Sequence, residues 1–356
     1  MITFSEVPGL EASPVVLLFL GFALGVLAGF VGVGGGFIVT PALIVMGFPA
    51  PIAVGTGLAH ISGNAVVATM RHRQLGNVDL RLGALTVIGT LAGVEGGVAL
   101  VNWLKDRGVA DEGVLSASLA LMAFISVFTV WETRRSQQLM AMPGLAGDIS
   151  PRELVSSGLW RRLHALRLWP MVDLPRSRVR ISFWVLIVIG FFTGVLAGLI
   201  GVGGGFVLNP ALIYLVGVPS HLAVGTGLLQ MIFTASYGTL RHTMSANVLI
   251  FASLLLLIGA SLGTQVGAVA TAYVTGPTVR LVLALAVGLA AAGTAFELAD
   301  VLTDETIGAL DAAATITLFG GIAFLTVSIA ALLVLGVLYR RGRSIPRWVE
   351  PLCCKR

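Results

Sequence analysis

Long stretches without a single Asp, Glu, Lys or Arg dominate the chain: Ala12 to Met70, Ile181 to Leu240, His242 to Val279 and Ala312 to Tyr339. A helix needs about 20 apolar residues to span a bilayer. In hydrocarbon every backbone polar group must find its partner within the protein, which makes such segments helical. The pattern predicts helices at 14–31, 36–47, 52–70, 80–104 and 113–133, then at 182–200, 206–216, 221–240, 247–274 and 278–298, and last at 312–339. Two of these, 36–47 and 206–216, reach only about 18 Å against a hydrocarbon core of about 30 Å. They read as half-helices, each following a break at Gly-Val-Gly-Gly-Gly, residues 32–36 and 201–205.

The breaks belong to a duplication. Residues 25–37, Gly-Val-Leu-Ala-Gly-Phe-Val-Gly-Val-Gly-Gly-Gly-Phe, recur almost unchanged at 194–206. Pro41-Ala-Leu-Ile recurs from Pro210, Ala53-Val-Gly-Thr-Gly-Leu from Ala223, Arg71-His72 as Arg241-His242, and Asn77-Val78 as Asn247-Val248. Gly89, Gly93 and Gly97 match Gly259, Gly263 and Gly267. The expected architecture is an all-α polytopic membrane protein of two inverted repeats, 12–133 and 181–299, with broken helices at the glycine runs. An Arg-rich loop at 134–180 joins the repeats. One extra C-terminal helix, 312–339, and a tail, 340–356, follow.

Composition narrows the class. Of 356 residues 56% are hydrophobic and 11% charged, mean hydropathy is +0.97, and a soluble domain carries about 25% charge. An ordinary globular enzyme, a basic-patch nucleic-acid binder and a disordered chain are excluded. The N-terminus lacks the basic region of a secretory signal, so the first apolar segment is expected to stay. Cys353 and Cys354 have neither zinc spacing nor a disulfide framework. No cofactor or metal is expected, and nothing fixes the oligomeric state.

Lys and Arg placement orients the chain. The loop 134–180 holds nine Arg against three acids, and the tail holds Arg340, Arg341, Arg343, Arg347, Lys355 and Arg356. Both are expected in the cytoplasm. The loop 297–311 holds Glu297, Asp300, Asp304, Glu305 and Asp311 with no base, so it is expected outside. Counting the half-helices as crossings satisfies all three and puts the N-terminus outside, with Arg241 the one misfit. Five elements then separate equivalent positions and the halves are inverted, the plan of many secondary transporters. If the half-helices do not cross, the halves are parallel. Within the loop, 159–169 reads either as a basic amphipathic helix on the anionic leaflet or as a solvated linker.

Candidate chemistry centres on the glycine runs. Consecutive glycines permit backbone turns that other residues resist. They leave N–H groups free at the start of the next helix, where about +0.5 elementary charge favours an anion. Gly34, Gly35 and Gly36, with Gly203, Gly204 and Gly205, are the candidate donors. For scattered glycines such as Gly89 and Gly93, close helix packing is the better reading. A Walker or dinucleotide loop fails on context, with no Gly-Lys-Ser/Thr and no preceding strand. Thr40 and Asn209, four residues past the runs, can contact an oxyanion or cap the half-helix. Thr56, His60 and Asn64 share one helix face, as do Thr226, Gln230 and Thr234. Each stripe lines a cavity or bonds neighbouring helices. Arg71 and Arg241 can clamp an oxyanion, or Arg71 can anchor topology. Glu95, mid-helix, is a candidate for proton coupling together with His60, or it pairs with a neighbouring hydroxyl.

Gly-Val-Gly-Gly-Gly-Phe, then Pro-Ala-Leu, Ala-Val-Gly-Thr and Arg-His, in order and in duplicate, resemble the sulfite exporter TauE/SafE family, also called the 4-toluene sulfonate uptake permeases. The resemblance covers both halves. It implies a transporter of sulfur-containing anions, sulfite or organosulfonates, in a bacterial plasma membrane. It places Gly34 to Gly36 and Gly203 to Gly205 in the transport core, and it does not explain the length of loop 134–180. The expected partners are thus a small anion and the lipid bilayer. A carrier is preferred to a passive anion channel, and both to an intramembrane enzyme, for which no His-Glu-x-x-His and no paired intramembrane carboxylates are present.

Overall fold

The charge-free stretches fold as helices in a computed structural model that describes residues 2–3, 11–31, 36–74, 76–140, 168–177, 179–271, 273–274, 276–303 and 308–340. The first half holds α1 (Pro14–Val31), α2 (Gly36–Val45), α3 (Ala50–Gln74), α4 (Leu80–Asp106) and α5 (Ala110–Met140). The second holds α6 (Phe183–Ile200), α7 (Gly205–Ala211, extended by a π-helical turn at Leu212–Val216), α8 (Ser220–Met244), α9 (Ile250–Thr271) and α10 (Gly276–Leu302). The chain closes with α11 (Gly308–Thr315), a π turn at Ile316–Gly320 and α12 (Gly321–Arg340). Among the described residues seven helical segments are long and apolar enough to cross a membrane. Gly34, Gly35, most of loop 134–180, the cysteines and the tail lie outside the described residues, as does the amphipathic-helix reading for 159–167.

Helices α3 and α5 run several residues past their expected ends, because polar residues continue a helix once it leaves hydrocarbon. Two short hairpins were not anticipated: β1 (Ile2–Thr3) with β2 (Glu11–Ala12), and β3 (Met171–Leu174) with β4 (Val179–Ser182).

The halves exchange partners. The first helix of each half packs on the fourth helix of the other: α1 on α9, and α6 on α4. Glycines set both contacts. A methyl built on Gly21, Gly25 or Gly29 would fall 2.2–2.4 Å from the carbonyl oxygens of Leu256, Ala260 and Thr264. One on Gly89, Gly93 or Gly97 would fall 2.0–2.4 Å from those of Ile187, Phe191 and Val195. Gly259, Gly263 and Gly267, like Gly190, Gly194 and Gly198, answer from the opposite side. These backbones touch directly, as small residues allow in bilayers, so the packing reading holds for the scattered glycines. Gly93→Ala is expected to cost about 1–3 kcal/mol by overpacking, read as a lower thermal midpoint in detergent.

Residue numbers climb together across both contacts, so α1 runs parallel to α9 and α4 to α6. The equivalent helices α3 and α8 are opposed. Gly55, near the start of α3, abuts the carbonyl of Asn247 and the side chain of His242, while Gly225, near the start of α8, abuts the carbonyl of Asn77. The hydroxyl of Thr56 accepts from the Leu249 amide and that of Thr226 from the Asp79 amide, both at 3.0 Å. Reciprocal contacts of this kind are those of a two-fold relation.

The environments of the two half-helices differ. Helix α2 is buried from Gly36 to Ile44 beneath α10 and α11. Helix α7 flanks an apolar groove of about 540 Å³ that runs along α6 past Trp184, Val188 and Phe192.

Candidate functional site

The second glycine turn is fully described, and its backbone explains its composition. Gly201, Gly203 and Gly204 adopt φ of 78°, 71° and 93°, a region costing other residues about 1–2 kcal/mol. The turn closes α6 with the Gly201 amide bonded to Ala197 O, and it opens α7 with Gly204 as N-cap. Among the described residues the amides of Gly203, Gly204, Gly205 and Phe206 meet no acceptor. Helix starts leave such donors by construction.

The starts of the two half-helices converge. Phe37 and Phe206, each the residue after its glycine run, stack with centroids 4.5 Å apart and planes 12° apart. A methyl on Gly36 would fall 2.8 Å from Val202 O. Equivalent residues of the two halves thus stack on each other, and both half-helix starts share one place. Thr40, from the first half-helix, reaches the other half's turn: its hydroxyl lies 2.6 Å from a methyl built on Gly201. Gln230 lies beside Gly204, both side-chain amide atoms 3.3 Å from that position. Asn209 packs its Oδ1 on Gly227.

The sequence candidates now separate. Thr40 Oγ1, His60 Nδ1, Asn209 Oδ1 and Gln230 Oε1 are buried without a hydrogen-bond partner, in residues at most 4% exposed. Thr56 and Thr226 are committed to the caps of the opposite half. Asn64 Oδ1 accepts from the Thr264 hydroxyl at 3.0 Å, an interhelical bond. Gln230 Nε2 donates to Thr234 Oγ1. Gly203, Gly204 and Gly205 are in place, and of the first run Gly36 stands beside them.

Arg241 and Glu95 are elsewhere. Arg241 lies about 16 Å along α8 from Gln230. Its Nε is 2.8 Å from Glu95 Oε1, and the Tyr237 hydroxyl donates to the same carboxylate. Both ionic side chains remain over a third exposed. A hydroxyl pairs with Glu95, one of the two readings the sequence left open, and the arginine joins it. The described structure does not bring Arg241 to the turns.

Other participants escaped sequence reading. The methyl of Thr193 lies 3.0 Å from a methyl built on Gly204. His242 Nε2 meets Gly198 O at 3.1 Å, three residues before the turn; its signal was the duplicated Arg-His. Lys105 Nζ donates to Asn247 Oδ1 at 2.6 Å, and Asn102 to Ser245 Oγ at 3.0 Å. Gly259-Ala-Ser-Leu-Gly263 has the spacing of a serine nucleophile elbow, but Ser261 lies inside α9 bonded to Leu257 O and both glycines face α1. A strand-to-helix turn is required for that chemistry.

Among the described residues, seven helical segments long and apolar enough to cross a membrane, an exchanged pair of halves and a buried polar centre define a multi-pass α-helical membrane protein. Its relatives carry transporter names. The chain is 24% identical over 259 residues to the probable membrane transporter protein YjnA of Bacillus subtilis, covering 70% of this chain and 91% of that one. It is 28% identical over 233 residues to a probable membrane transporter protein of Xylella fastidiosa, covering 63% and 72%. It is 25% identical over 240 residues to one of Methanocaldococcus jannaschii, covering 65% and 73%. No solved structure matches it. The profile described as sulfite exporter TauE/SafE matches residues 17–294 and again 186–349. The chain belongs to the TauE/SafE family of membrane transporters.

Proposed function

We propose that this protein is a secondary transporter, not an enzyme, that exports a small sulfur-containing anion, sulfite or an organosulfonate, by alternating access across a bacterial plasma membrane. One observation carries the reading: buried, unpaired polar atoms on Thr40, Asn209 and Gln230 belong to or adjoin the two converging half-helices, and a fourth lies on His60, next in sequence to Ile61. Each such atom costs about 1–3 kcal/mol when nothing pairs it. A ligand that pairs several at once accounts for keeping them together. Free amides and the positive ends of α2 and α7 favour an anion. Asn209 and Gln230 can turn their amides to present NH₂ rather than oxygen.

The burial of the cluster fits an occluded carrier and argues against an open channel. Opposed α3 and α8 support inverted halves, with the half-helices as crossings, the N-terminus outside and the C-terminus in the cytoplasm. Arg241 then sits at the outer side, against the positive-inside trend, and its pairing with Glu95 accounts for the exception.

Uptake of labelled sulfite and sulfonates into proteoliposomes, with and without a pH gradient, tests the reading. Saturable flux supports it, and flux rising linearly with concentration supports a channel instead. If protons couple through Glu95, Glu95→Gln is expected to lose the gradient dependence while retaining exchange of one anion for another. Wild-type gradient dependence in that variant moves coupling to another group, with His60 next to be tested.

A further inference from the structure

We infer that Met231 and Ile61 set the size of anion this centre admits, and that Met231 is the side chain that moves to admit it. The inference rests on the reading of turn 201–205 as the anion site. Ile61 and Met231 hold equivalent positions, one residue past His60 and Gln230, and both are fully buried. A methyl built on Gly203 would meet Ile61 Cγ2 at 2.7 Å, Met231 Cγ at 3.1 Å and Met231 Sδ at 3.5 Å. One built on Gly36 would meet Ile61 Cδ1 at 2.4 Å. Ile61 thus packs on the start of α2 and on turn 201–205, and Met231 packs on that turn. The stacked rings of Phe37 and Phe206 add a further apolar wall.

Around the turn the polar groups are therefore backed by close-packed apolar side chains. That arrangement suits a compact oxyanion better than one carrying a bulky organic group. Access requires one of these side chains to yield. Ile61 is β-branched and stiff at χ1 in a helix, and it is wedged between Gly36 and Gly203. Met231 is unbranched, with three rotatable bonds and a polarizable sulfur. Turn 201–205 thus has one rigid guard, Ile61, and one flexible guard, Met231.

Competition in proteoliposomes holding the full chain tests this, with labelled sulfite against unlabelled methanesulfonate and benzenesulfonate. In wild type, inhibition is expected to fall steeply from the small competitor to the large one. Met231→Ala is expected to strengthen inhibition by benzenesulfonate relative to methanesulfonate by about tenfold or more, the low end of what one methylene is worth in an apolar pocket. Met231→Leu conserves volume, which cores tolerate, but it removes torsional freedom. It is expected to slow sulfite uptake at an unchanged thermal midpoint while keeping the steep ranking. Wild-type ranking in Met231→Ala, with sulfite still transported, overturns this inference alone. Wild-type vesicles that take up no oxyanion overturn the site reading and this inference together.

Discussion

Gly204→Ala is expected to slow sulfite uptake by about tenfold or more, since strain of about 1–2 kcal/mol alone approaches that factor. Gly204 has φ of 93° and forms the N-cap of α7. A methyl there would lie 3.0 Å from Thr193 Cγ2 and 3.3 Å from both amide atoms of Gln230. It would stand between the free amides of the turn and the side chain best placed to share a ligand with them. Strain and occlusion thus act on one position. Gly96→Ala is the matched control. Its methyl meets Val195 Cγ2 at 3.7 Å, an ordinary contact, and alanine is the better helix former by about 1 kcal/mol. Initial rates at equal reconstituted protein separate the two. Wild-type uptake by Gly204→Ala, with Gly96→Ala also unimpaired, would remove turn 201–205 from the transport path.

The spanning helices were legible because a long run without charge has one stable outcome in lipid. The half-helices were legible from length alone. Their convergence was foreshadowed by duplication, since two copies of one motif that bury the same face meet at a two-fold. What the pattern does not contain is the partner of each group. Thr56 and Thr226 share a helical stripe with His60 and Gln230, yet their hydroxyls hold the opposite half's α9 and α4. A polar stripe says that a side chain needs a partner; it does not say which helix supplies one. Arg241 stood out as a charge on the wrong side, but Glu95 lies 146 residues away and spacing gives no hint of it. Ile61 and Met231 look like ordinary core residues, and only the closeness of glycine backbone gives them a role. The β3–β4 hairpin was invisible for a different reason. Its strands have four residues each, too short for periodicity to register, and it is held by tertiary bonds.

Those bonds make Asp79→Ala the second large effect. Asp79 is 3% exposed and joins three elements. Its Oδ1 accepts from the amides of Arg81 and Leu82 at 3.1 Å, capping α4. Its Oδ2 accepts from Ser177 Oγ at 2.7 Å, in the β3–β4 turn, and its amide donates to Thr226 Oγ1. Arg176 Nη1 adds a bond to Val78 O at 2.6 Å. The equivalent residue, Leu249, keeps the amide bond to a threonine hydroxyl with an apolar side chain, so the duplication does not require the carboxylate. The hairpin does. Losing an N-cap costs about 0.5–2 kcal/mol, and losing the bond from the Ser177 hydroxyl adds about 0.5–1.5. Asp79→Ala is expected to lower the thermal midpoint and to release residues 171–182 to fast amide exchange. Asp79→Asn retains a cap oxygen, and the Ser177 hydroxyl can rotate to accept from the new NH₂, so it is expected to stay near wild type. If the hairpin remains protected in Asp79→Ala, Arg176 and the Arg81 bond to Asp173 O suffice to hold it. The carboxylate would then serve α4 alone, and Ser177→Ala would leave both the midpoint and the exchange pattern unchanged.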